Sequence, residues 1–292
     1  MKEYIAFDIG GTQIKYGIVS ETGTVRKHKT VLTEIHLGGE QIIQKLILLS
    51  RKLMNKHTIS GIGISTAGIV NIHEGVVTGG AEHIPNYATI PIIDRLQEVL
   101  QVPVSVENDV NCAALGEKWK GIGNGKRNFI MLTLGTGIGG AIFIDGELYR
   151  GHSFSAGEWG NMLIEGKTFE EVASISGLIH LVRNYKGKGN WNGKTIFELY
   201  DKGDREVTQA VEVFFKHLAI GISNLAYIFN PETIIIGGGI TDRGNQFLKE
   251  VKEEVGRYLN KEIYSDCEIE LAQNGNRAGM IGAIYHFLHH HK

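Results

Sequence analysis

Tyr4-Ile5-Ala6-Phe7-Asp8-Ile9-Gly10-Gly11-Thr12-Gln13-Ile14-Lys15-Tyr16-Gly17-Ile18-Val19 decides the architecture, because it reads as strand, glycine turn, strand, and because the chain uses that unit twice. Tyr4–Asp8 and Ile14–Val19 carry the β-rich apolar residues of strands, and Gly10-Gly11-Thr12 supplies the turn. A dinucleotide-binding fingerprint needs a helix after such a turn, so the strand-like Ile14–Val19 argues against a Rossmann dehydrogenase. A hairpin whose turn offers glycine N–H groups and a threonine hydroxyl can cradle phosphate. Residues 128–150 repeat the arrangement: strand Phe129–Leu134, turn Gly135-Thr136-Gly137, strand Gly139–Ile144, a tight Asp145-Gly146 hairpin, then Glu147-Leu148-Tyr149. Two similar halves, each opening with a Gly/Thr turn on a common cleft, are expected to grip a polyphosphate from both sides.

Between the hairpins the helical spacing of Ile42, Ile43, Leu46, Leu48 and Leu49 predicts an amphipathic helix over Gln41–Met54. Gly61–Val70 reads as a strand running into a glycine-containing loop, and Ile92–Leu100 as a helix. The alternation Val102, Val104, Val106 then reads as a half-buried strand, and the Ala/Leu-rich stretch after Val110 as a helix. Glu107-Asn108-Asp109 is the joint between them. A carboxylate at such a joint is either an N-cap that satisfies orphan helix amides or a base placed at a ligand crevice. Strand–helix alternation argues an α/β domain up to about residue 110. Beyond the second hairpin lie an unusual loop over 151–171 and helical patterns at Val172–Arg183, Thr195–Tyr200 and Glu206–Phe229. A buried strand ending in Gly237-Gly238-Gly239 follows, and then a helix at Arg277–Leu288.

The chain has 292 residues, long enough for one large or two ordinary domains. A net charge of −2 gives no basic excess to argue for nucleic acid or an anionic membrane. With only Cys112 and Cys267, a disulfide framework and a multi-cysteine zinc site are excluded, and a reducing cytoplasm is the expected setting. The opening Met1–Asp8 is too acidic, and its apolar run too short, for a signal peptide, and no uninterrupted apolar stretch has the length of a membrane span. His289-His290-His291 reads as a solvated tail or part of a purification scar rather than a metal site.

Asp8-Ile9-Gly10-Gly11-Thr12, Glu107-Asn108-Asp109, Leu134–Gly140, Ala156-Gly157-Glu158 and Ile236–Gly239 occur in the order and spacing of the ROK family of sugar kinases, which the sequence resembles from residue 4 to about 288. The resemblance implies an α/β, two-lobed actin-like (ribonuclease H-like) ATPase fold: a duplicated βββαβα unit around a central cleft. It implies a small domain over 1–109, joined by the C-terminal helix at about 278–292, and a large domain over 110–277. It implies ATP and Mg²⁺ as cofactors, a hexose or hexosamine derivative phosphorylated at its 6-hydroxyl, and a homodimer. Asp8, Gly10, Gly11, Thr12 and Lys15 fall in the first phosphate-binding set, with Asp8 on the Mg²⁺. Gly135, Thr136 and Gly137 form the second, and Gly237, Gly238 and Gly239 sit where the family packs adenosine. Asp109 matches the general base. Asn108, Glu158, Asn161, Glu170 and Gly68 match the sugar-binding set, ionised carboxylates suiting a polyol because they accept hydroxyl hydrogens.

Two departures bear on the substrate. Many members carry histidine at the position of Asn161, followed by a cysteine-rich zinc loop, whereas Leu163-Ile164-Glu165-Gly166-Lys167-Thr168 holds no cysteine. The expectation is a member without structural zinc, and zinc-less members include kinases for β-glucosides and for N-acetylmannosamine. His83 lies in a segment that borders the sugar in this family; a buried structural histidine is the other reading. The alternative function is a sugar-binding regulator of the same family without kinase activity. It is disfavoured because only seven residues precede Asp8, too few for a DNA-binding helix-turn-helix.

Overall fold

The computed structural model describes residues 1–290. In chain order its elements are β1 (Glu3–Ile9), β2 (Gln13–Ser20), β3 (Val25–Leu32), α1 (Gly39–Met54), β4 (Ile59–Thr66), β5 (Ile69–Asn71), β6 (Val76–Gly79), α2 (Ile92–Leu100), β7 (Val104–Asn108) and α3 (Asp109–Lys120). There follow β8 (Phe129–Leu134), β9 (Ile138–Ile144), β10 (Glu147–Tyr149), β11 (Leu163–Ile164), β12 (Lys167–Thr168), α4 (Phe169–Ala173), α5 (Ile175–Lys186), α6 (Gly193–Asp201) and α7 (Arg205–Phe229). The last elements are β13 (Thr233–Gly237), α8 (Asn245–Val255), α9 (Lys261–Asp266), β14 (Glu268–Leu271) and α10 (Ala278–His290). His291, the last of the histidine run, lies outside the described residues.

The first unit comprises Met1–Gly125, Arg150–Ser155 and the segment from Gln273 onward. Its sheet has the order β3-β2-β1-β4-β7, antiparallel across β1–β2–β3 and parallel across β1–β4–β7. The antiparallel pairing of β1 with β2 across the glycine turn excludes the dinucleotide reading on geometry. β1 is buried along most of its length because it is covered on both faces, as parallel-type strands are. Ile5, Phe7 and Ile9 face Ile42, Ile43 and Leu46 of α1, while Tyr4 and Ala6 face Met280, Ile284 and Phe287 of α10. The expected boundary at Asp109 falls instead after Gly125: α3 stays with the first sheet because it packs closely on α10. A side chain on Gly282 would strike the Cys112 carbonyl, and one on Gly116 the Ala278 carbonyl.

The second unit, Lys126–Tyr149 and Ala156–Ala272, builds a sheet in the order β10-β9-β8-β13-β14. Its pairings are antiparallel on the β9 side and parallel on the β13 side. Strand for strand this is the topology of the first unit, so the repeat read from two hairpins extends to both whole sheets. α7 is the one helix among the described residues long and apolar enough to cross a membrane. It is a core helix here: Val207, Val211, Phe214, Leu218, Ile222 and Leu225 are fully buried beneath the sheet residues Ile234 and Ile236 and the helix residues Leu178 and Phe247. The single helix expected over Val172–Arg183 is two, α4 and α5. Ser174 breaks them by turning extended and accepting the Gly177 amide, an N-cap in what periodicity reads as helix interior.

Candidate active site

In the first unit the site lies along the carboxyl edge of the parallel strands, where open α/β sheets bind ligands. Asp8, Ser65 and Glu107 stand in one row across β1, β4 and β7, and Ile9, Thr66 and Asn108 in the next. The glycine turn leaves β1 directly after this row. Its shape is held by the Gly10 amide donating to the Gln13 carbonyl (3.0 Å) and by the Thr33 hydroxyl donating to the Gly10 carbonyl (2.6 Å). Gly11 and Thr12 are exposed at its tip. His83 is also exposed and lies beside Gly11, so the reading of a buried structural histidine does not hold.

The Asp8 carboxylate accepts the Ser65 hydroxyl at 2.8 Å through one oxygen, and the Lys15 ammonium sits 3.1 Å from the other. Lys15 therefore rests on Asp8. A lone carboxylate at a phosphate turn suits Mg²⁺, which takes one or two carboxylates and otherwise phosphate oxygens and water. Among the described residues no group of three or more His, Cys, Asp or Glu forms an all-protein metal cage.

At the strand–helix joint the structure assigns the cap. The cap is Asn108: its Oδ1 accepts the amides of Val110 (2.9 Å) and Asn111 (3.0 Å), and its Nδ2 donates to the Gly68 carbonyl at 2.9 Å. Such a cap is worth ~0.5–2 kcal/mol. Asp109, half-buried, begins the helix, where its Oδ1 also accepts the Val110 amide (2.9 Å) and the dipole favours a negative charge. Glu107 is neither cap nor base. Only 1% exposed, it accepts the Asn108 amide (2.8 Å) and Asn111 Nδ2 (3.0 Å) through Oε1 and Arg150 Nε (2.7 Å) through Oε2. Sequence reading missed Arg150, 43 residues away and outside every motif. Burial, and next the Glu107 charge, push the Cys112 thiol well above its ordinary range, so it is no nucleophile.

The second unit has an edge of the same kind within its own sheet. β8 runs into Gly135-Thr136-Gly137, and β13, its parallel neighbour, into the glycine triplet. The Gly135 amide donates to the Gly137 carbonyl (3.0 Å), and the Gly135 carbonyl accepts the first amide of α5, Ile175 (2.9 Å). A cavity of about 620 Å³ opens here, lined by Gly135, Thr136, Gly239, Ile175, Lys194, Phe197 and Arg243 among others. Of the triplet only Gly239 lines it. Gly238 instead makes the left-handed turn (φ 91°) against the backbone of Leu134, and Gly237 packs on Met131. Arg243 lies 4.5 Å from the Phe197 ring centre and is locked by Asp201 and Glu250, a wall with no sequence signature.

Glu170 Oε2 accepts the Ile138 amide at 2.9 Å, bracing the Gly135–Gly137 turn and leaving Oε1 for other partners. Glu158 caps the start of a one-turn helix at Trp159–Asn161, Asn161 is its last residue, and both are exposed. The Glu158 carboxyl is nevertheless raised above the usual range, first by the atoms crowding it and second by the charge of Glu170, which brings these two candidate sugar ligands into one neighbourhood. The cysteine-free segment after Asn161 is a two-residue hairpin: Glu165 (φ 50°) and Gly166 (φ 82°) form its turn, and Glu165 pairs with Lys216 and His217 of α7.

The ROK family model matches residues 4–290. The chain belongs to the ROK family. It is 37% identical to a β-glucoside kinase of Listeria innocua over 97% of this chain and 96% of that one. Among solved structures it matches a protein of Listeria monocytogenes described as a putative N-acetylmannosamine kinase, with TM-score 0.88 and 34% identity over 99% and 100% of the two chains. It also matches a ROK glucokinase of Streptomyces griseus in complex with glucose and AMPPNP, with TM-score 0.82 and 28% identity over 96% and 97%. These relatives carry the actin-like fold of sugar kinases along the full length of the ROK protein described here, and sugar kinase activity is the function they support for it.

Proposed function

We propose that this ROK protein is an ATP-dependent kinase that transfers the γ-phosphoryl group to the 6-hydroxyl of a hexose or hexosamine derivative, in the glucose/β-glucoside or N-acetylmannosamine class. The observation that supports it best is the division of labour at the β7–α3 joint. Asn108 accepts the amides of both Val110 and Asn111 as the cap, while Asp109, whose Oδ1 also accepts the Val110 amide at 2.9 Å, begins α3 at the carboxyl end of β7, the edge at which open α/β sheets bind ligands.

In this reading Asp109 accepts the 6-hydroxyl proton as that oxygen bonds to the γ-phosphorus and the bond to the ADP oxygen breaks, for which a positioned base supplies ~10²–10⁴ in rate. The Gly10–Thr12 and Gly135–Gly137 turns offer amides to the phosphate oxygens, and the 620 Å³ cavity receives the adenosine. Asp8 would hold Mg²⁺, which when bound neutralises charge on the phosphates. Glu158 and Glu170 accept sugar hydroxyls.

The test is Asp109→Asn, assayed by ADP release across glucose, mannose, N-acetylglucosamine, N-acetylmannosamine and cellobiose, with nucleotide binding measured separately. Turnover is expected to fall by ~10²-fold or more with ATP affinity retained. Near-normal turnover in that variant would sink the assignment of the base.

A further inference from the structure

We propose that His83 is a phosphate-binding residue, donating a hydrogen bond to the terminal phosphoryl group of ATP above the Gly10–Thr12 turn. The inference rests on the kinase reading above and adds to it a side-chain donor at the first glycine turn.

Within the first unit, the segment that carries His83 runs from one candidate ligand set to the other. At its start it packs on the sugar side. A side chain on Gly68, whose carbonyl accepts Asn108 Nδ2, would lie 2.8 Å from the Gly79 carbonyl and 3.0 Å from the Ala81 methyl group. Two residues further on, the His83 ring stands on the phosphate side, with Nε2 3.7 Å from where a side chain on Gly11 would begin. A phosphate met between those two sets is the one nearest the sugar, and in ATP that is the group to be transferred.

The loop is pinned in this position. Ile84 and Tyr87 are buried in the core shared with β1 and α1, and Tyr87 shares a 2.7 Å hydrogen bond with the buried Thr66 hydroxyl. The Pro85 carbonyl accepts the Gly39 amide at 2.9 Å, and the Val77 carbonyl accepts the Thr89 amide at 2.9 Å. Between these anchors Asn86 (φ 52°) and the β-branched Thr89 (φ 66°) are held in the left-handed region, a true outlier for threonine. Strain of this kind persists only where packing over-determines it, and it clusters at ligand sites.

His83 itself is exposed and, among the described residues, makes no hydrogen bond and no ion pair. Its neighbour Glu82 is turned onto its own loop, where Oε1 accepts the Gly80 amide at 2.9 Å. In either charge state an imidazole has a ring N–H to donate. A fixed, unspent donor beside an exposed turn of amides suits an anionic oxygen better than a neutral hydroxyl, because hydrogen bonds to charged acceptors are the stronger ones.

The test compares the native protein with His83→Ala and His83→Gln. Calorimetric binding of a nonhydrolysable ATP analogue and of ADP is measured beside steady-state kinetics on whichever sugar the native protein turns over fastest. His83→Ala should keep the native melting temperature, since the position is exposed. It should lose ~10-fold or more in affinity for the ATP analogue and in kcat/KM for ATP, which is what one hydrogen bond to a charged group is worth. ADP affinity and sugar KM should change less than ~2-fold, because neither reports the terminal phosphate. His83→Gln, which keeps an N–H donor, should recover part of the loss. Equal losses on the ATP analogue and ADP would overturn the inference, as would a raised sugar KM with ATP affinity unchanged, or no loss at all. If no sugar is turned over, the kinase reading has failed. Binding then decides His83 by itself: a loss confined to the ATP analogue supports the contact, and one shared with ADP refutes it.

Discussion

Arg150→Ala is the perturbation that most directly probes how the β7–α3 joint is held. Glu107 is 1% exposed and Arg150 22%, at 2.7 Å, and Glu107 Oε1 holds the amide of Asn108, the residue that caps α3 ahead of Asp109. Removing one partner of a buried ion pair costs ~3–5 kcal/mol, because the remaining charge loses its compensation. Two features reduce that here. Arg150 is partly solvated, and Glu107 keeps its two Oε1 bonds, with His286 Nδ1 3.9 Å from Oε2. The expected loss is therefore ~2–3 kcal/mol, a fall in melting temperature of roughly 4–12 °C for a unit of this size. Slackening the support by ~1 Å should also lower kcat by up to ~10²-fold. Arg150→Lys should recover part of each loss, since it restores the charge but not the guanidinium geometry. Thermal and urea unfolding give the stability, and a Glu107→Gln/Arg150→Ala cycle gives the coupling. A loss under ~0.5 kcal/mol, or additivity of the two substitutions within ~0.5 kcal/mol, would refute the reasoning.

Two further outcomes follow from the titrating groups. Since the folded-state pKa of Glu158 is raised, it protonates on acidification before an ordinary glutamate would and then cannot accept two hydroxyl hydrogens. The sugar KM should rise as pH falls through that raised pKa, and Glu170→Gln, by removing a negative neighbour, should move the rise to lower pH; a KM that is flat with pH, or unmoved in that variant, would count against the pair. In stability the same raised pKa works in the opposite sense, its contribution being greatest below the unfolded value and declining as pH increases through the folded one, so Glu158→Gln should flatten that decline in pH-dependent unfolding. Burial pushes the Cys267 thiol up to about 11 and the Cys112 thiol well above its usual range. Neither should react rapidly with a disulfide reagent at neutral pH in the native state, and both should do so in urea; prompt labelling of the folded protein would contradict the packing around them.

Local chemistry made much of this protein legible in advance. Strand periodicity and glycine turns are short-range properties, so the hairpins around Gly10–Thr12 and Gly135–Gly137 and the helix at Ile92–Leu100 could be read directly, and the repeat announced the shared sheet order. What local pattern could not supply were pairings across long separations. β3 is mostly exposed and charged, Val-Arg-Lys-His-Lys-Thr-Val-Leu, and is a strand only because β2 hydrogen-bonds to it. The cap at Asn108 rather than at a neighbouring carboxylate, the buried Glu107–Arg150 pair, the Ser174 break between α4 and α5 and the Phe197–Arg243 wall all depend on which side chains arrive from elsewhere in the chain. A sequence determines what each residue can donate, accept or bury, whereas which of those capacities is used depends on the neighbours that packing brings within a few ångströms.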